Sequence, residues 1–139
     1  MKYILNIAPK PQSRPRFGNG RAYEETAMKK WKEHAAYLMK SKRPKKIEKG
    51  AIYLGLTFYI YPPKRISKID NKNPVPNEII ETIYVDKKPD LDNYVKAIQD
   101  AANDILYKDD GQIAASSTQK FYSLNPRIEI EIETLEENK

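Results

Sequence analysis

The residue pattern predicts an α+β fold, a single small domain in which a mixed β-sheet of about four or five strands carries two main helices. Three observations lead there. Residues 51–61 alternate, with Ile52, Leu54, Leu56, Phe58 and Ile60 on one side and Tyr53, Thr57, Tyr59 and Tyr61 on the other, the period of a strand. Residues 91–106 repeat apolar side chains at helical spacing. Strands and helices follow one another without the regular alternation of a doubly wound sheet.

Along the chain, residues 2–9 predict a first strand, with Tyr3, Leu5 and Ile7 alternating until Pro9 and Pro11 stop regular pairing. Residues 10–21 are rich in Pro, Gly and Arg and predict an extended basic arm. From about residue 23 to 40 the spacing of Ala27, Trp31, His34/Ala35 and Leu38 predicts the first long helix, which Arg43-Pro44 ends. The 51–61 strand should lie centrally in the sheet. Pro62-Pro63 breaks it, and residues 64–77, with three Asn and two Pro, predict an exposed loop. Residues 78–85 predict a short returning strand. In the second long helix Leu91, Tyr94, Val95, Ile98, Ala101/Ala102 and Ile105 form the apolar stripe. Two more strands are expected at 112–124 and 126–134, the last alternating Ile128, Ile130 and Ile132 with Glu129, Glu131 and Glu133, as in a sheet with one wet face. Residues 135–139 predict a frayed tail. No internal repeat or boundary divides residues 1–139, so one domain is expected.

Composition narrows the chemistry. With no cysteine, zinc-ribbon and thiol chemistry are excluded. No apolar run approaches a bilayer span or a signal h-region, which predicts a soluble cytoplasmic protein with no membrane partner. The charged fraction is 32%, yet ten Tyr, Trp31 and the apolar periodicity argue for a packed core rather than disorder. Charge is unevenly placed: residues 1–50 hold fourteen Lys/Arg against four acids, 51–126 nine against ten, and 127–139 two against five. A cationic front and a cluster of Asp in the middle suit a protein that holds a polyanion beside a divalent cation. A single histidine, His34, lies on or beside the helical core stripe, which argues against His-rich metal nucleases and Ser-His-Asp catalysis. Gly18-Asn19-Gly20 has neither P-loop nor dinucleotide spacing, so no nucleotide cofactor is expected.

The informative segment is Lys88-Pro89-Asp90-Leu91-Asp92-Asn93-Tyr94-Val95-Lys96, followed by Asp100 and by Asp109-Asp110-Gly111-Gln112. Pro89 disfavours helical geometry at Lys88 and leaves Asp90 as N-cap of the helix from Leu91. Steps of four from Asp92 reach Lys96 and Asp100 at about 40° and 80° around the helix, one shared solvent face. A hard ion such as Mg²⁺ binds a few carboxylates, water and phosphate, so Asp90 and Asp92 would be completed by Asp109 or Asp110 if a short return brings that pair close. Each part also has an ordinary reading as a cap, an i,i+4 pair and a turn.

In order and spacing, Lys88-Pro89-Asp90-Leu91-Asp92-Asn93, Lys96, Asp100-Ala101 and Asp109-Asp110 with Gln112-Ile113 resemble the signature of the RusA-type Holliday junction resolvases. The resemblance covers residues 88–113 well, the arm and first helix more loosely, and 64–85 not at all. It implies a homodimeric, Mg²⁺-dependent endonuclease (Mn²⁺ as the alternative ion) that makes paired symmetric nicks in four-way branched DNA during recombination and repair. Carried over by position, Asp90, Asp92 and Asp110 would be catalytic metal ligands with Asp109 beside them, and Lys96 a catalytic cation near the phosphate. Gly111 departs from the side-chain-bearing residue expected there. In the arm, Lys10, Arg14, Arg16 and Arg21 suit phosphate, and Phe17 and Tyr23 suit stacking on bases. The basic run at 40–46 adds at most non-specific DNA attraction. Two other readings stay open: a structure-selective DNase without strict junction symmetry, and a non-catalytic module that binds DNA junctions.

Overall fold

The computed structural model describes residues 1–13, 16–18, 21–23 and 26–135, with the backbone alone considered for 16–18 and 21–23. Its main sheet contains β1 (Lys2–Leu5), β4 (Ile52–Ile60), β5 (Ile113–Tyr122) and β6 (Arg127–Thr134) in the order β1-β6-β4-β5. The β4–β5 pair is parallel and the other two pairs are antiparallel, the mixed sheet expected. The two long helices are α1 (Thr26–Ser41) and α4 (Leu91–Ala102).

Strand alternation explains the core. Ile52, Leu54, Leu56 and Phe58 of β4 point the same way as Ile128, Ile130 and Ile132 of β6, and all are buried. Met28, Ala35 and Met39 of α1 and Tyr94, Ala97, Ile98, Ala101 and Ala102 of α4 are the buried positions of the two helices. Phe58 is 0% exposed and its ring lies 5.6 Å from that of Tyr94, fixing the start of α4 against the sheet. On the opposite face of the sheet Tyr53 bonds Ser117 at 2.7 Å and Gln119 bonds Thr57 at 3.1 Å.

Several expectations need correction. β1 stops at Leu5, and the arm contains a hairpin of β2 (Arg16–Gly18) and β3 (Arg21–Tyr23), so Tyr23 belongs to a strand and α1 begins at Thr26. In α1 the buried stripe runs through Met28 and Ala35, while Ala27 and His34 are exposed. Helix α4 ends at Ala102 because Asn103 turns extended and Asp104 takes φ 65, a conformation Asp tolerates. Leu106 then enters the core from the turn, which is why the apolar spacing outlasts the helix.

Residues 64–85 are better ordered than a loop. They contain two short helices, α2 (Lys64–Ser67) and α3 (Asn77–Ile80), and only Tyr84 of the expected 78–85 strand bridges to the sheet, opposite Phe121. Ile80 is buried, and Arg127 grips Glu81 at 2.8 Å and Glu129 at 2.9 Å while its guanidinium lies 3.9 Å over Tyr59. The Arg127 hydrogen bonds hold the Glu81 carboxyl below the usual carboxylate range. This segment is therefore a brace that delivers the chain to the start of α4. Among the described residues no helix is long and apolar enough to cross a membrane.

Candidate functional site

Asp90 occupies the N-cap position of α4 with extended backbone, but its carboxylate makes no capping hydrogen bond. Asp90 and Asp92 are both exposed, and neither has an ion-pair partner among the described residues. Two carboxylates without ion-pair partners among the described residues thus flank the helix N-terminus, where the macrodipole favours negative charge. The Lys88–Pro89 peptide bond before them is cis.

Their placement depends on a residue the sequence reading missed. Lys120 of β5 donates from Nζ to the carbonyls of Lys87 and Pro89, each at 2.7 Å. One lysine in a strand carries no motif, and only its position opposite this loop reveals the role. Lys120→Met is expected to raise amide hydrogen exchange across residues 88–92 by about tenfold, the loss of roughly 1.4 kcal/mol of local stability, with the global unfolding midpoint little changed. Unaltered exchange there would remove Lys120 from the account.

The basic arm reaches the same place. The Gln12 amide donates to the Asn93 carbonyl at 2.9 Å, and Trp31 Nε1 holds the Ala8 carbonyl at 2.9 Å, so the chain on either side of Lys10 is anchored to α4 and α1. Arg16 and Arg21 lie on β2 and β3, whose backbones pair, with Gly18 opposite Arg21. Arg14 lies outside the described residues.

Lys96 and Asp100 share a helix face as expected, 3.6 Å apart, and Asp100 is also held by Lys32 at 3.0 Å. No ion pair joins Asp92 to Lys96 among the described residues, so the Lys96 charge leans toward Asp100. Asp109 caps the 3₁₀ turn Asp110–Gln112 by accepting from the Gly111 amide at 2.9 Å, and Gln112 Oε1 accepts from the Asp109 amide at 3.0 Å. That explains glycine at 111: a Cβ there would lie 2.8 Å from Asp109 Oδ2 and push the cap aside. Asp110 is exposed.

The two acid pairs are not together in one chain. Asp90 follows Pro89, which Lys120 holds, whereas Asp109 and Asp110 precede Ile113 at the other end of β5. Seven strand steps separate Ile113 from Lys120, about 23 Å of β5. Asp109, Asp110 and Asp100 instead surround Tyr107, whose hydroxyl donates to the Gln99 carbonyl at 3.0 Å. Burial first, then those carboxylates, push the Tyr107 phenol well above its ordinary range. Among the described residues no three acidic or histidine side chains are gathered closely enough to hold a metal ion. The expected short return exists, but it runs back only to the far end of α4. Asp90 and Asp92 alone fit a hard ion that takes one or two carboxylates and fills its remaining positions with water and phosphate.

The chain is 32% identical over 136 residues to the uncharacterized protein YqaN of Bacillus subtilis (strain 168), an alignment covering 95% of this chain and 94% of that one. The family model described as endodeoxyribonuclease RusA matches residues 6–133, which takes in the arm, both long helices, β4, β5 and all but the last residue of β6. With that span matched and the paired aspartates exposed beside the arm, the chain belongs to the RusA endodeoxyribonuclease family, a family of DNA-cutting hydrolases.

Proposed function

We propose that this protein is a Holliday junction resolvase, a homodimeric, Mg²⁺-dependent endonuclease that makes paired symmetric nicks in four-way DNA during recombination and repair. The single observation that carries the proposal is the position of Asp90 and Asp92. They are exposed carboxylates without ion-pair partners among the described residues, held at the start of α4 beside a basic arm, in a chain of the RusA endodeoxyribonuclease family.

The roles follow from chemistry. Asp90 and Asp92 would hold the ion, with water and the DNA phosphate filling its remaining positions, while Asp110 and Asp109, at the other end of β5, do not join them within one chain. When bound, Mg²⁺ supplies a nucleophile at neutral pH and neutralises charge on the phosphate being cut. Lys96 contributes fixed positive charge on the same helix. Lys10, Arg14, Arg16 and Arg21 hold phosphates on the arms of the junction, contacts that position the DNA without reading its sequence. A four-way junction is two-fold symmetric, so a two-fold dimer presents one site to each of two equivalent phosphates.

In Mg²⁺, four-way junctions are expected to be nicked at least about tenfold faster than three-way or linear DNA of the same sequence, the 1.4 kcal/mol that extra contacts to a second pair of arms readily supply. Equal rates on all three substrates would favour the broader structure-selective DNase and remove the resolvase assignment.

A further inference from the structure

On the face of the sheet turned away from the core, four side chains stand in one cross-strand row. Arg127 of β6 pairs with Tyr59 of β4, Tyr59 pairs with Phe121 of β5, and Phe121 is bridged by Tyr84. Residues in register across a sheet share a face, so these four meet side by side. The Arg127 guanidinium lies 3.9 Å over the Tyr59 ring. The Tyr59 and Phe121 rings are 6.1 Å apart at 27°, and the Phe121 and Tyr84 rings are 4.5 Å apart at 30°. The last contact is close for a reason in the backbone. Val85 donates to the Lys120 carbonyl at 3.0 Å and Tyr122 to the Ile83 carbonyl at 3.1 Å, which leaves Tyr84 and Phe121 as a non-hydrogen-bonded pair, the kind whose side chains approach most closely.

The row is closed at one end and open at the other. Arg127 is tied to Glu81 and Glu129, whereas Tyr84 is 64% exposed although one side of its ring rests on Phe121. A ring fixed in place with its outer side in solvent is a surface on which a nucleobase stacks, and it loses little freedom when one does. Charge selects the same ligand. Glu129 and Glu131 lie on this face in mid-sheet and repel phosphate, but the chain that follows Tyr84 carries Lys87 and Lys88 against one acid, Asp86. Both lysines are exposed and have no ion-pair partner among the described residues. Lys120 holds the Lys87 carbonyl, so their backbone is fixed as well. Six residues of chain lead from Tyr84 to Asp90, which keeps the two backbones within about 20 Å of each other.

We infer that Tyr84 is the outer rung of a stacking platform that takes an unpaired DNA base near the cutting site, with Lys87 and Lys88 on the flanking phosphates. The inference rests on the nuclease reading above for its substrate, branched DNA, although the platform itself is built from rings and charges that the reading does not use. A base that is already unpaired is the least costly to withdraw from a stack, and Tyr84 offers it a new neighbour.

The test uses the full chain in a chelator, where no metal-dependent cutting occurs, and a four-way junction with one unpaired 2-aminopurine at the branch point. Wild type should quench the fluorescence of that base and lose about tenfold in affinity when the nucleotide is made abasic, the size of one base–aromatic stack. Tyr84→Phe should behave as wild type. Tyr84→Leu, which keeps an apolar cover on Phe121, should neither quench nor distinguish base from abasic site. With 5-iodouracil in the same position, ultraviolet light should attach the DNA to Tyr84 of wild type, a readout by peptide mass that requires no variant. Equal affinity for the base and abasic junctions, quenching retained by Tyr84→Leu, or attachment to another aromatic residue would overturn the inference. If wild type shows the base preference but leaves junctions uncut in Mg²⁺, the nuclease reading falls and the platform stands. If it nicks without that preference, the platform falls alone, and a wild type that binds no branched DNA removes both.

Discussion

Asp92→Asn is expected to lower nicking of a four-way junction by at least about 100-fold, since disturbing even the outer shell of a metal site commonly costs 10–100-fold. Junction affinity should hold or rise. Asparagine keeps the shape and one oxygen of aspartate but removes the negative charge, so an ion loses a charged ligand while a phosphate loses a repelling neighbour. The fold should barely respond. Asp92 is exposed and has no ion-pair partner among the described residues, so the change forfeits only a helix-dipole interaction of about 0.3–1 kcal/mol. Initial nicking rates, junction binding without metal, and an unfolding curve separate these effects. Wild-type nicking by the variant would exclude Asp92 as a ligand.

Phe58→Ala should cost about 3–5 kcal/mol of stability, the usual range for deleting a fully buried aromatic side chain. Phe58 is 0% exposed, sits opposite Ile128 on β6 and Lys120 on β5, and meets Tyr94 on the first turns of α4. The cavity would therefore open beneath the helix start that displays Asp90 and Asp92. Against a total stability of about 5–15 kcal/mol, the loss should appear as a large drop in the urea midpoint. A change below about 1 kcal/mol would mean that the start of α4 is anchored elsewhere.

The central parts of this fold were legible because they are periodic. Alternation in β4 and β6 and the stripe of α4 each report which face is buried, and Asp90 and Asp92 could be put at a helix start from Pro89 alone. The hairpin of β2 and β3 was not legible, since Pro, Gly and Arg within three-residue strands leave no period to read. Helices α2 and α3 have four residues each, too short for a stripe, and they persist because Ser67 and Ile80 are buried and Glu81 is gripped by Arg127. The site was half legible. Spacing located both acid pairs, but it could not say that the return from α4 leaves them at opposite ends of β5, nor that Lys120 holds the loop before Asp90. Such facts belong to packing between segments distant in sequence, where local spacing is silent.

The most direct measurement uses a four-way junction with each strand end-labelled in turn, incubated with the wild-type protein and Mg²⁺, and maps every nick. Paired nicks at symmetric positions on two opposing strands, absent when the ion is chelated, are the predicted result. Salt-sensitive binding of the junction with all four strands left intact would contradict it and make the protein a binding module whose aspartates only organise its fold.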